Sequence, residues 1–280
     1  MEDKNPQVKG KIFGDEKDLA KIVAFVNQRF GIDLAYYRLS FLYRHMRGRL
    51  LDAGCKDSTE YIALLKRDPD EFQKFLETLS INVTHFFRDI EVFDSFSQNV
   101  IPELLKRKEL SGERSCIRVW SAGCASGQET YSLAIMFLEA LGRSVDFRIT
   151  GTDVDPDALK KAAEGVYDER FFRETPKKIL DKYFTLLYNK AYRVNDEIRA
   201  FVKFEKNNLI TDEPLRHVDV IFCRNVLIYF NRAQQDLIFS KFFSGLNTTG
   251  YLVVAKVETI WDKDKFASVD LGSKIYQKAQ

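Results

Sequence analysis

Apolar residues near the start of the chain recur every three or four positions. Leu19, Ile22, Val23, Val26 and Phe30 share one helical face, and Tyr37, Phe41, Leu42, Met46, Leu50 and Leu51 share another. Gly54 suits the left-handed position that ends the second of these helices. A third and a fourth helix are predicted around Tyr61–Leu65 and Phe72–Leu79, with Asp68-Pro69-Asp70 as the turn and cap between them. The pattern then changes. Short stretches rich in apolar and β-branched residues at Cys116–Trp120, Val145–Gly151, Val218–Cys223 and Gly250–Ala255 predict strands. Helical periods at Tyr131–Leu141 and Asp155–Glu164 alternate with them. Strand–helix alternation of this kind implies a parallel sheet wound on both faces, an α/β architecture. One segment departs from it: Ala191–Val194 and Ala200–Phe204 alternate around Asn195-Asp196-Glu197, which predicts a small antiparallel excursion over about 183–207. The expected organisation is a helical N-terminal domain over 1–95 and an α/β domain over 96–280, with Lys106–Arg114 as the linker.

Composition narrows the functional classes. The 280 residues are 45% apolar and 30% charged with a formal net charge of +2, so no global field argues for nucleic acid. No window reaches the ~18 apolar residues of a spanning helix, and Met1–Lys11 lacks the apolar core of a secretory signal. A cytoplasmic protein without membrane insertion is expected. Cys55, Cys116, Cys124 and Cys223 are scattered without zinc spacing, and His45, His85 and His217 are isolated, so no metal site is expected.

Four local motifs carry candidate chemistry. The first, Val119-Trp120-Ser121-Ala122-Gly123-Cys124-Ala125-Ser126-Gly127, follows a strand and opens a helix. Glycines there let the backbone approach a ligand, although a ligand-free tight turn accounts for them equally well. Gly123 and Gly127 do not match the dinucleotide spacing, and no Lys-Ser/Thr pair for a triphosphate follows. The second, Thr152-Asp153-Val154-Asp155, ends the next strand. Asp155 caps the following helix, which leaves Asp153 to accept ribose hydroxyls. The two together suggest a nucleoside ligand without a phosphate requirement. The third, Asn82-Val83-Thr84-His85-Phe86-Phe87-Arg88-Asp89, is a polar, aromatic and cationic cluster suited to a cleft. Its plainer reading is a helix start capped by Thr84 or Asn82, with Phe86 and Phe87 in the core. The fourth runs Asp219-Val220-Ile221-Phe222-Cys223-Arg224-Asn225-Val226-Leu227-Ile228-Tyr229-Phe230. Arg224 and Asn225 fall just past a strand end, and on a helix Tyr229 shares the face of Asn225.

These motifs, in this order, resemble the CheR family of chemotaxis receptor methyltransferases: N-x-T-x-F-F-R, G-C-x-x-G-x-E, T-D-x-D, N-L and C-R-N-V-x-I-Y-F. The resemblance covers about Ile81 to Tyr276 with a compatible helical N-terminus. It implies a helical domain joined to a Rossmann-like S-adenosyl-L-methionine methyltransferase domain that carries a small β-subdomain. It also implies formation of glutamate methyl esters on chemotaxis receptors in sensory adaptation, with S-adenosyl-L-homocysteine as product and no metal. The matching cofactor residues are Asn82, Thr84, Arg88, Glu129, Asp153, Asn208, Leu209, Arg224 and Asn225, to which the turn adds Gly123. Arg88 and Tyr229 match the residues beside the transferred methyl. Gln128 and Thr130 depart from the usual neighbours of the retained Glu129, and Ala255-Lys256-Val257 replaces a more usual Gly/Ser-rich run before Glu258. The β-subdomain is short between Phe184 and Val194 and lacks a Gly-rich loop, which predicts action independent of a receptor C-terminal pentapeptide.

An acceptor glutamate is already ionised at neutral pH, so alignment for in-line attack suffices and no general base is needed. Arg38, Arg44, Arg47 and Arg49 cluster on the second helix, with no acid in the sequence until Asp52. A solvated helix face explains such a run, and so does docking of the acidic helical region of a receptor. Two alternatives keep the fold: a methyltransferase for another acceptor, and a non-catalytic sensor of the cofactor or its product.

Overall fold

A computed structural model describes residues 16–30, 34, 37–79, 84–110, 116–142 and 146–279. Two compact units are present: residues 1–81 with Tyr229–Asn231, and residues 82–228 with 232–280. The division falls before the expected boundary at 95/96. Helices expected to precede a linker belong to the sheet unit, because Val92, Phe93, Phe96, Ile101 and Leu104 are buried in its core. Of the expected linker Lys106–Arg114, the part through Leu110 is helix, and the rest lies outside the described residues.

The first unit contains α1 (Glu16–Phe30), α2 (Leu39–Asp52), α3 (Ser58–Arg67) and α4 (Pro69–Leu79). Most of the positions the periodicity marked face inward: Leu19, Ile22, Val26, Phe41, Leu42, Met46, Leu50, Tyr61, Leu65 and Phe75 are buried together, whereas Leu51 is exposed. Asp57 caps α3 by accepting from the amides of Thr59 and Glu60. Tyr229–Asn231 join this unit through α2. The amide of Arg38 donates to Tyr229 O and its Nε to Phe230 O, both at 2.9 Å, and the Phe41 and Tyr229 rings lie 4.8 Å apart.

The second unit opens with α5 (Ile90–Asn99) and α6 (Ile101–Leu110) and then alternates. In order come β1 (Ile117–Ala122), α7 (Gln128–Leu141), β2 (Phe147–Asp153), α8 (Pro156–Glu164) and β3 (Val166–Asp168). They are followed by α9 (Lys177–Tyr183), β4 (Phe184–Leu186), β5 (Ala191–Val194), α10 (Asp196–Arg199) and β6 (Val202–Lys206). The chain closes with β7 (Val218–Cys223), α11 (Arg232–Gly245), β8 (Leu246–Val254), β9 (Phe266–Asp270) and β10 (Ile275–Lys278). The main sheet has the order β6-β2-β1-β7-β8-β10-β9, parallel except at β10. The chain runs outward from β1 to β2 and β6, then returns to lay β7 on the other side of β1. That reversal is the topological switch point at which open α/β sheets bind ligands.

A small antiparallel sheet exists, with a different pairing from the one expected. Ala191–Val194 pairs with Val166–Asp168 and Phe184–Leu186, not with Ala200–Phe204. The intervening Asp196–Arg199 closes into a helical turn that carries the chain away, and Val202–Lys206 joins the main sheet beside β2. The aromatic residues explain this choice. Phe204 packs on Tyr131 and Phe201 on Phe147, so this stretch is drawn onto the main core. Phe172 and Phe184, from around the small sheet, pack on Phe86 at ring distances of 4.7 and 4.9 Å.

Candidate active site

Loops at the switch point supply several of the candidate residues. Gly123, at φ +76°, follows β1, and its amide and that of Cys124 both donate to Thr152 O of β2. A Cβ on Gly123 would lie 2.5 Å from Val226 Cγ2, and one on Gly127, at φ +90°, 2.8 Å from Ala162 Cβ. Both glycines are therefore demanded by the fold itself, whether or not a ligand lies on the turn. Ala125 also takes a left-handed φ of +47°, which an L-residue adopts at a cost. Asp153 holds it there: Oδ2 accepts from Ala125 N at 2.8 Å, and Oδ1 from Asp155 N at 3.0 Å. Asp153 is thus not left free as the sequence suggested. It staples the turn to β2 and keeps only its remaining lone pairs for a ligand. Burial, opposed by these amides, pushes its pKa up. Asp155 caps α8 as expected.

Arg224 follows β7, all of which is buried, and is only 6% exposed. Its Nη2 lies 2.5 Å from Asp89 Oδ2, while its Nη1 donates to Arg88 O at 3.0 Å and lies 3.6 Å from Glu129 Oε2. Glu129 Oε1 accepts from the Ser121 hydroxyl at 2.9 Å. Burial raises the pKa of Glu129, with Arg224, Ser121 and Arg88 pulling the other way. Arg224 Nε is a buried donor that meets no acceptor among the described residues. Glu129, Arg88 and Arg224 come from three sequence motifs, and the structure brings them together.

The third motif is not a capped helix start. α5 begins at Ile90 after Asp89, which sits at φ +55° with no side-chain cap, and Thr84 lies half-buried ahead of two turns. Phe86 and Phe87 are core residues, as the plainer reading held. Asn82 lies outside the described residues. The segment is fastened by Phe87 N to Ser132 Oγ and by Asp89 N to Glu174 Oε2, each at 2.9 Å.

His85 supports this fastening and gives it a pH dependence. Its Nε2 lies 2.8 Å from Glu174 Oε1, and its Nδ1 lies 3.1 Å from Arg173 Nη2. Burial, the largest influence, holds His85 below its ordinary value of 6.5, although Glu174 pulls it up. A folded-state value below the unfolded one means that the unfolded chain binds the proton first. Stability is then full above the unfolded value and declines as pH falls below it towards the folded value. The urea midpoint is expected to drop between about pH 7.5 and about pH 5.5, and the drop should shrink in His85→Gln. An equal drop in both proteins would count against His85 as its source.

The fourth motif divides between the units. Asn225 takes φ +61°, and Leu227–Tyr229 form a single 3-10 turn. No helix face therefore joins Asn225 to Tyr229, and Tyr229 is held in the helical unit by Phe41 and Arg38. Asn208 is committed locally. Its Oδ1 accepts from Ile210 N at 2.9 Å, which closes a turn beside the buried Leu209. Glu258, which no motif marked as a site residue, accepts amides from the Asn225–Ile228 loop.

The family model "CheR methyltransferase, SAM binding domain" matches residues 82–275, and "CheR methyltransferase, all-alpha domain" matches residues 17–80. The chain belongs to the CheR methyltransferase family. It is 34% identical over 250 residues to a chemotaxis protein methyltransferase of Borreliella burgdorferi, covering 87% of this chain and 88% of that one. It is 35% identical to chemotaxis protein methyltransferase 2 of Vibrio cholerae, covering 88% and 86%. A chemotaxis protein methyltransferase of Listeria innocua is 31% identical, covering 94% and 98%.

The residues present fit the family's cofactor. S-adenosylmethionine carries a sulfonium, an ammonium, a carboxylate and a ribose diol. Two half-buried carboxylates, Glu129 and Asp153, suit its cations and hydroxyls, and the unmatched Arg224 Nε suits its carboxylate. Among the described residues no cluster of three His, Cys, Asp or Glu is placed to hold a metal, and no helix is long and apolar enough to cross a membrane.

The arginines of α2 prove unlike one another. Arg44 and Arg47 are exposed. Arg49 is not available to a partner: its Nε and Nη2 lie 2.7 and 2.5 Å from the two oxygens of Glu71, a buried residue of α4. Tyr61 Oη also donates to Glu71 at 3.0 Å. Sequence reading missed this acid because it is distant in the chain. Arg38 is exposed but engaged with Phe230 O.

Proposed function

We propose that this CheR family methyltransferase esterifies glutamate side chains on the cytoplasmic helical region of chemotaxis receptors. The observation that carries the reading is the convergence of Arg88, Glu129 and Arg224 beside the Gly123 turn, at the switch point of a chain that matches the family's SAM-binding domain. S-adenosylmethionine supplies the methyl group from its sulfonium. Glu129 and Asp153 bind its ammonium and ribose, Arg224 its carboxylate, with Asn82, Thr84, Asn208, Leu209 and Asn225 lining the remainder. Arg88 orients the acceptor carboxylate, and Tyr229 hydrogen-bonds beside the transferred methyl. Alignment of this kind contributes up to about 7–11 kcal/mol to lowering a barrier, and the acceptor is already ionised.

The decisive experiment is methyl transfer from labelled cofactor to receptor fragments, with base-labile methanol as the ester signature. Cofactor binding without turnover on any receptor favours a sensor. Label that resists base, or that enters another acceptor, favours a different methyltransferase. Near-normal rates in both Arg88→Ala and Tyr229→Phe would remove those two assignments.

The helical unit is the proposed receptor-recognition surface, through Arg44 and Arg47. Charge reversal at either is expected to raise the receptor KM several-fold with cofactor affinity intact. Arg49→Ala is expected instead to destabilise the helical unit by about 3 kcal/mol, because it strands the Glu71 carboxylate. A KM effect of Arg49→Ala equal to that of the others, without loss of stability, would overturn this division. Independence from a receptor pentapeptide rests on the short β4–β5 connection, and measurable binding of such a peptide would refute it.

A further inference from the structure

The loop that carries Arg224 and Asn225 does not satisfy its own amides. Asn225 is left-handed, and the single turn at Leu227–Tyr229 leaves its leading N–H groups without intrahelical acceptors. One side chain takes them. Glu258, 5% exposed and just past the end of β8, accepts from Leu227 N at 2.8 Å and Ile228 N at 3.3 Å through Oε1. Through Oε2 it accepts from Asn225 N at 3.3 Å and from Ala255 N at 2.7 Å. The carboxylate thus joins the β7 loop to the end of β8. Within the clamped span, Val226 abuts Gly123 so closely that a Cβ there would collide with it. Immediately before the span stands Arg224, whose guanidinium meets Asp89, Arg88 O and Glu129.

We propose that Glu258 is a positioning residue for the cofactor site, holding the 225–228 loop so that Arg224, Asn225 and the Gly123 turn keep the shape that binds S-adenosylmethionine. The proposal rests on the methyltransferase reading above. Only an anionic side chain with two acceptor oxygens serves all four amides. A glutamine of the same size turns a donating NH2 towards two of them. The loop must then move, and Arg224 and Val226 move with it.

The test is calorimetric titration of S-adenosylhomocysteine into the full chain, its Glu258→Gln and Glu258→Asp variants, and a stability control, Val253→Ala, in the core of β8. Glu258→Gln is expected to weaken the product at least tenfold and to leave the receptor KM within twofold. Val253→Ala, with a comparable loss of Tm, should keep wild-type affinity. Glu258→Asp keeps the charge on a shorter arm and should fall between wild type and the glutamine variant. Wild-type affinity in Glu258→Gln, or an equal loss in Val253→Ala, overturns the proposal. If the glutamine variant does not fold, Glu258→Asp decides: weakened binding in a folded protein supports the role, and wild-type binding refutes it. Absence of binding heat in the wild type would sink the methyltransferase reading itself, a separate outcome from unchanged binding in the variants.

Discussion

Replacing Arg224 by alanine is expected to abolish cofactor binding and to cost about 1–3 kcal/mol of stability, the loss that follows when a buried donor is removed from acceptors that are themselves partly exposed. The side chain is 1% exposed and joins two segments distant from it in the chain, meeting the Asp89 carboxylate and the Arg88 carbonyl in one and Glu129 in the other. Without it, Glu129 stays in a buried site where desolvation already raises its pKa, and it loses the charge that most opposes that rise. Glu129 should then take up a proton more readily and lose its hold on a cationic ligand. Arg224→Lys is expected to recover part of the stability and little of the binding. An ammonium is a point charge on a flexible stem and does not reproduce the planar fork that reaches three acceptors. Urea unfolding and product calorimetry on both variants provide the check. Wild-type product affinity in Arg224→Ala would remove Arg224 from the site.

Gly127→Ala is expected to destabilise by about 2–4 kcal/mol, from a left-handed backbone and from overpacking. The new Cβ would lie 2.8 Å from Ala162 Cβ and 3.0 Å from Phe204 Cζ, and the first of these is a β-carbon fixed to its helix. Gly54 separates the two contributions. It has φ +68° but open space around a Cβ, so Gly54→Ala should show the backbone cost alone, about 1 kcal/mol. Equal losses at the two glycines would mean that the contact with α8 and β6 does not matter. A binding defect in Gly127→Ala beyond its stability loss would show that the turn also shapes the ligand site.

The helices of the first unit and the central strands were legible because their signals are local. Periodicity marked the faces that are buried, and apolar runs marked β1, β7 and β8. The motif residues Arg88, Glu129, Asp153 and Arg224 were readable as candidates for the same reason, since each adjoins a strand end or a break in pattern. The pairing of Ala191–Val194 was not legible. Two short alternating segments around a turn signal satisfy a hairpin and a sheet-switching turn alike, and aromatic packing on distant residues decided between them. Asn82, whose role the family resemblance implies, lies outside the described residues.

By itself the sequence determined the α/β architecture, the helical N-terminal unit and the family-specific motifs. Tertiary structure alone decided which charges are spent inside the protein. Arg49 is consumed by Glu71, and Asp153 is partly taken up by the amides of Ala125 and Asp155. Glu258, a lone acid in no marked site, gathers four amides under the loop that bears Arg224. The physical reason is common to all three. A charge is worth what its neighbours and its burial make it, and those neighbours are brought together by folding across long stretches of chain.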